Sequence, residues 1–326
     1  MAIDLNKLKD GDRVNCRLMV FKKEKRLDKN GKPFGDLILG NKTGSIQAKL
    51  WDLDDAAYNL FGVESVVEVS GITGSFAGRP QIKINTINPV DESQVDFGEF
   101  LPVTSKDIGE LQAELLTLID SLQNVSIKQL ISHIFDSQLI FESFLKAPAA
   151  KAFHHAYLGG LLEHTVSVAK LSDSVANNYP GDVNRDLVVA GALLHDIGKI
   201  KEFSYLKSIG YSTEGRLIGH HVIGYEMLRQ AASELADIPD EVTLQLSHLI
   251  LSHHGSYELQ SPRRPKTLEA LLLHFCDDAD AKINMFLQAD ENADEDAEWS
   301  QYIRPLERFM YLKKLDGFED AALLPE

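Results

Sequence analysis

The chemistry in this chain is concentrated in its histidines. There are 11, and every one except His133 lies beyond residue 150. His195 and Asp196 stand side by side in LLHDIGK. At a helix end such a pair can aim an imidazole and a carboxylate at one divalent cation. A lone His-Asp dipeptide carries little information; its company carries more. His164 precedes it in GGLLEHT, His220 and His221 follow in IGHHVIG, and His253 and His254 follow in LSHHG. Asp277 and Asp280 close the series in LHFCDDADAKI. Nitrogen and carboxylate donors without thiolate suit Mn²⁺, Fe²⁺, Co²⁺ or a similar ion, and affinity alone does not exclude Zn²⁺. The two cysteines, Cys16 and Cys276, are too few for a disulfide scaffold or a Cys-rich zinc module. They fit a reducing cytoplasm, with Cys276 a small core residue. The chain has neither a G-x-x-x-x-G-K-[ST] phosphate loop nor a G-x-S-x-G elbow.

These residues need helices to hold them. From about residue 105 onward, apolar residues recur at three- and four-residue spacing, as in DIGELQAELLTLIDSL and SIKQLISHIFD. The pattern continues through RDLVVAGALLHDIG, DEVTLQLSHLILSHH and KTLEALLLHFCDDADAKINMFLQ. An all-α bundle is expected over 105–326. The acidic stretch ADENADEDAEW at 289–299 reads as a solvated loop.

The first 90 residues read differently. DRVNCRLMVFK, FGDLILGN, GSIQAKLWD, SVVEVSGITGS and RPQIKINTINP are short, partly alternating segments divided by Gly, Asn, Asp and Pro. DLDDAAYNLF can supply a short helix between the third and fourth strands. Five strands with that helix match an oligonucleotide-binding (OB) barrel. FGDLILGNKTGSIQAKLWD resembles the strand 2–3 hairpin of OB modules in aminoacyl-tRNA synthetases. Residues 91–104 read as a linker. At 326 residues, two domains are expected.

The net charge of −16 would by itself discourage a nucleic-acid reading. Its distribution does not: residues 1–90 hold 14 Lys and Arg against 11 Asp and Glu, and the acidity lies beyond them. OB barrels stack bases on aromatics and attract the backbone with Lys and Arg. The candidates are Phe21, Lys22, Lys23, Lys25, Arg26, Phe34, Trp51, Phe76, Arg79 and Lys83. Barrel core and solvated turns are the competing uses of the same residues. No apolar run is long enough to span a bilayer, and the N-terminus has no apolar signal core. A cytoplasmic protein without a membrane segment is expected.

The ordered set of His164, His195-Asp196, His220, His253-His254 and Asp277 resembles the HD-domain metal-dependent phosphohydrolases. The stretches HHAYLGGLLEHT, LLHDIGK, IGHHVIG, HHG and SPRRPKTLEALLLHFCDDADAKI resemble one branch, the YhaM-like 3′-to-5′ exoribonucleases, which also carry an N-terminal OB domain. The resemblance implies that His164, His195, Asp196 and Asp277 hold a first metal. It implies that Asp196 bridges to a second metal completed by His220 and His253, with His254 as an alternative or extra ligand. It favours Mn²⁺, as one or two ions. Lys199, one turn beyond Asp196, can then reach a phosphate oxygen. Asp280 is expected behind the ligands rather than among them, and His221 exposed. His133, His248 and His274 are expected to be packed or surface residues. His154 and His155 line the substrate path or pack, and Arg263 and Arg264 contact a nucleic-acid backbone or sit in a solvated loop.

Three functions follow as expectations. The first is a metal-dependent exoribonuclease that releases nucleoside 5′-monophosphates from single-stranded RNA or DNA, assembled as a homo-oligomer. The second is a phosphohydrolase of small nucleotides or cyclic dinucleotides; HHGSYELQ departs from the HHE…GYP signature of cyclic-di-GMP phosphodiesterases. The third is a nucleic-acid-binding factor with a vestigial metal site, against which the complete ligand set argues.

Overall fold

The computed structural model describes residues 3–51, 55–76, 79–151, 155–205, 207–291, 293 and 297–314. The chain divides into two compact units, Met1–Ser105 with Phe203–Ser212, and Lys106–Glu202 with Thr213–Glu326.

The first unit is built on a closed barrel. Its strands are β1 (Arg13–Leu27), β2 (Pro33–Asn41), β3 (Gly44–Leu50), β4 (Val66–Phe76) and β5 (Arg79–Pro89), with the short helix α1 (Asp55–Asn59) between β3 and β4. The order around the barrel is β1-β2-β3-β5-β4. Closure depends on the length of β1. Its first half pairs with β4 (Cys16 opposite Val69), and its second half pairs with β2 (Lys23 opposite Leu37). The seam is the parallel pairing of β3 with β5, with Ala48 opposite Ile82. Alternating residues fill the interior, among them Leu18, Val20, Leu37, Leu39, Val69 and Ile82. Gly71 sits where β4 bends over β5: a Cβ there would lie 2.5 Å from the Lys83 carbonyl oxygen.

Residues 91–104 form two single 3-10 turns, and Phe100 packs with Met19 and Val66. The small hairpin of β6 (Phe203–Ser204) and β7 (Gly210–Tyr211) also belongs to this unit. Lys207 Nζ pairs with Glu92 at 2.5 Å, and Ser208 donates to Glu64.

The second unit is helical. It comprises α2 (Ile108–Asp120), α3 (Val125–Asp136), α4 (Gln138–Lys146), α5 (Gly160–Ala176), α6 (Arg185–Leu194), α7 (Lys199–Glu202), α8 (Thr213–Leu217), α9 (His220–Glu234), α10 (Asp240–Ser252) and α11 (Leu268–Glu291). Side-chain caps begin several helices: Asp107 accepts from Glu110 N, Asn124 from Ile127 N and Asn184 from Leu187 N. Helix α6 is the centre. Every residue from Asp186 to Leu194 is buried, so its C-terminal end delivers His195 and Asp196 into the interior. Helix α11 runs through Glu291, so the acidic stretch begins on a helix rather than in a loop.

Candidate metal centre

Four helices and one turn converge on Asp196. Asp196 follows α6, His164 lies in α5, His220 opens α9, His253 ends α10 and Asp277 lies in α11. Glycines permit the close approach. A Cβ on Gly198 would stand 2.1 Å from the His220 carbonyl oxygen, so the Gly of HDIGK lets the start of α9 press onto the turn. Gly255 has φ +79, and a Cβ there would strike the His274 ring at 2.3 Å. His274 Nδ1 in turn donates to the His253 carbonyl at 2.8 Å and so holds the HHG turn.

The donors form two groups that share Asp196. On one side, His164 Nε2 lies 3.1 Å from Asp277 Oδ1 and 3.5 Å from Asp196 Oδ2. His195 Nε2 lies 3.3 Å from Asp196 Oδ2 and 3.8 Å from Asp277 Oδ1. On the other side, Asp196 Oδ1 lies 3.4 Å from His220 Nε2 and 3.5 Å from His253 Nε2. Neighbouring ligand atoms on a cation with bonds of about 2.1 Å stand about 3 Å apart, so both groups need only a small contraction.

The protons point the same way. His195 Nδ1 faces the Ala192 carbonyl at 2.7 Å, His253 Nδ1 the Ile250 carbonyl at 2.8 Å, and His254 Nδ1 the Leu259 carbonyl at 2.9 Å. His164 Nδ1 faces Asp280 at 2.7 Å, and His220 Nδ1 faces Glu202 at 3.0 Å. Each partner accepts, so each Nδ1 donates, and Nε2 is the ring nitrogen left to act as a ligand. Asp196 Oδ1, His220 Nε2, His221 Nε2 and His253 Nε2 are buried without a hydrogen-bond partner. Orphaned acceptors at that density are costly unless a cation takes them. The residues therefore fit a divalent metal ion, and two of them around Asp196.

Electrostatics follow the same division. Burial opposes charge on Asp196 and Asp277. The Lys199 ammonium and His195 more than offset it at Asp196, as His164 and His195 do at Asp277, and both carboxyls sit below their ordinary range. Burial also opposes a charged His164, but Asp277 and Asp280 overcome it and raise that imidazole to about 10. The imidazole-rich side behaves oppositely: burial and the neighbouring rings hold His221, His253 and His254 below the usual histidine value.

The remaining candidates fall into place around this centre. Lys199 Nζ lies 2.6 Å from Asp196 Oδ2. It also lines a cavity of about 370 Å³ with His254, His274 and Asp277. Asp280 stands behind the ligands and accepts from His155, His164 and Ser167. His155 is buried in that rear network, its Nδ1 beside the Tyr157 hydroxyl at 2.9 Å, which removes it from a substrate path. His154 lies outside the described residues. His221, expected at the surface, is 6% exposed and stacks on His253 at 4.5 Å. The first turn of α9 points inward, so both residues of the HH pair are buried. His133 pairs with Glu234 on the surface, and His248 Nε2 accepts from Lys266 N. Arg263 and Arg264 are exposed in the loop after α10, Arg264 over the Tyr257 ring at 5.6 Å. Glu202 was not singled out in the sequence. It fixes His220 by accepting from both its backbone N–H and its ring. Its signal is the acid at the end of HDIGKIKE, one short helix beyond Asp196.

The barrel candidates are less uniform. Phe34 is 9% exposed and stacks with Trp51 at 4.8 Å, leaving Trp51 as the open ring. Phe21 sits at a β-bulge in β1 and lies over Gly40, where a Cβ would touch its ring at 2.3 Å. Lys23 does not face solvent for a phosphate. Its Nζ donates to the carbonyls of Tyr58 and Phe61, both at 2.5 Å, and lies over their rings. Lys22 and Arg26 pair with Glu24. The side chains of Phe76 and Arg79 lie outside the described residues.

Comparison with known proteins matches these two parts separately and the chain as a whole. The HD domain family matches residues 161–282, and the family described as OB-fold nucleic acid binding domain matches residues 14–90. The 3′-5′ exoribonuclease YhaM of Bacillus licheniformis is 36% identical over 93% of this chain and 95% of its own. That of Bacillus subtilis (strain 168) has the same identity and coverage. The relative from Geobacillus sp. (strain WCH70) is 36% identical over 94% of this chain and 93% of its own. No helix among the described residues is long and apolar enough to cross a membrane. With an OB barrel, an HD metal centre and this similarity along nearly its whole length, the chain belongs to the YhaM family of 3′-5′ exoribonucleases.

Proposed function

We propose that this protein is a metal-dependent 3′-to-5′ exoribonuclease that removes nucleoside 5′-monophosphates from single-stranded RNA, and that it accepts single-stranded DNA. The observation that carries the reading is the gathering of two donor groups on Asp196, with Asp196 Oδ1, His220 Nε2 and His253 Nε2 buried and unpartnered, beside Lys199 and an open cavity. His164, His195, Asp196 and Asp277 would hold one cation; Asp196, His220, His253 and His254 would hold the other. Mn²⁺ is the proposed ion, given oxygen and nitrogen donors without sulfur. When bound, two such ions supply an activated water and neutralise charge on the phosphoryl group. Asp280 and Glu202 keep the His164 and His220 rings in register. Lys199, held at Asp196, places an ammonium at the cavity wall where a phosphate oxygen enters. The barrel holds the strand, with Trp51 as its exposed stacking surface. A homo-oligomer in the cytoplasm, where Cys16 and Cys276 stay reduced, completes the proposal.

The test is a 5′-labelled single-stranded RNA incubated with the protein and Mn²⁺, beside EDTA and Asp196→Asn controls. A ladder shortening from the 3′ end and abolished in both controls is expected. RNA that stays intact while still bound would overturn the reading.

A further inference from the structure

The cavity beside Lys199 does not end at the metal centre. It shares Lys282, Pro305 and Leu306 with a second cavity of about 550 Å³. The walls of that second space are largely apolar: Ile283 and Phe286 from α11, and Pro305, Leu306 and Met310 from the segment that follows. Charged groups accompany them. Lys282 stands at the shared wall, paired with Asp278 at 2.6 Å, and Arg308 and Glu307 complete the lining. The segment is constrained. Residues 304–306 form a 3-10 turn, Glu307 follows at φ 54, and Ile303 bridges Arg308. Arg308 Nε donates to the Leu306 carbonyl at 2.7 Å, which fixes its guanidinium beside the cavity.

We propose that this second cavity is the slot for one unstacked nucleobase, that of the nucleotide released at the metal centre. The inference rests on the exoribonuclease reading and adds a subsite to it. Three features select a base as the occupant. The space adjoins the cavity lined by Lys199 and Asp277, with Lys282, Pro305 and Leu306 common to both walls. Its volume of about 550 Å³ is ample for a ring system with its sugar. Its apolar walls and Phe286 favour ring contact over hydrogen-bond readout, while Lys282 and Arg308 suit the sugar-phosphate edge. A slot of this composition tolerates all four bases, as an enzyme that shortens a strand stepwise requires.

The test compares the full-length wild-type chain with Phe286→Ala and, as a second variant, Met310→Ala. Two substrates are used with Mn²⁺: a single-stranded RNA, and the same strand with an abasic 3′-terminal residue, which presents the phosphodiester without a ring for the slot. Binding of AMP is measured alongside by equilibrium dialysis in EDTA. One base stacked on an aromatic ring is worth ~1–3 kcal/mol, or about 5–150-fold in affinity. The expected result is a KM for RNA raised about fivefold or more in Phe286→Ala, weaker AMP binding, and unchanged kinetics on the strand with the abasic 3′ end. Met310→Ala should shift the same two quantities by less. Unchanged RNA kinetics and AMP binding in both variants would overturn the slot, as would an equal loss on both substrates in both variants. If RNA is not degraded at all, the exoribonuclease reading fails by itself. AMP binding that is lost in Phe286→Ala would still support the slot, and AMP binding that is unaffected would overturn it.

Discussion

The helical unit and the barrel handle their polar and aromatic candidates in opposite ways. In the helical unit most of the ligand set is buried, and the His164, His195, His220 and His253 rings are tied back through Nδ1. In the barrel three basic candidates are already engaged: Lys23 by two carbonyls, Lys22 and Arg26 by Glu24. A buried imidazole or carboxylate is expensive, so its presence needs a reason. An exposed Lys or a half-buried aromatic costs little and serves equally well as scaffold. The contrast teaches that a site made of costly residues declares itself, whereas a binding face made of cheap ones must be found by geometry.

The largest test of that contrast is at Asp196. Asp196→Asn removes the carboxylate common to both donor groups, and kcat on RNA should fall by about 10³-fold or more, with the fold intact by circular dichroism. A loss below tenfold would mean that the two groups work independently. The next effect is in the supporting carboxylates. Asp280→Asn and Glu202→Gln should each weaken Mn²⁺ binding by about 10–100-fold, measured by titration calorimetry on metal-free protein. Unchanged affinity would make these acids mere packing. In the barrel, Trp51→Ala should weaken single-stranded RNA binding by ~1–3 kcal/mol in a gel shift, without changing Mn²⁺ affinity. The smallest effect belongs to Lys23. Lys23→Met should leave RNA affinity nearly unchanged and lower barrel stability by ~1–2 kcal/mol through the two lost hydrogen bonds, read as a fall in Tm. A large loss of RNA binding there would reverse the assignment of Lys23 to the scaffold.

Legibility in the sequence divides along the same line. The five strands, the short helix after the third and the helical remainder follow from alternation, punctuation and three-to-four spacing. His164, the HD pair, His220, His253 and Asp277 were visible as a series, and the structure brings them together. His221 was misplaced because periodicity along α9 does not reveal that both residues of its first turn face inward. Glu202 is marked only by its place at the end of HDIGKIKE, because an acid on a four-residue helix looks like a surface group. His155 and Lys23 show the same limit. Residue type names what a side chain can do, but only tertiary contacts show whether a carbonyl or carboxylate has already claimed it. The hairpin at 203–212, which folds with the barrel unit although it interrupts the helical sequence, depends on long-range contacts that carry no local pattern.

The central claim is that Asp196 joins two cation sites. Anomalous diffraction at the manganese edge, from crystals grown with Mn²⁺, tests it most directly. The account predicts two peaks flanking Asp196, roughly 3.5–4 Å apart, one against His164, His195 and Asp277 and one against His220 and His253. Peaks that lie away from Asp196, or a centre that stays empty at saturating Mn²⁺, would contradict it.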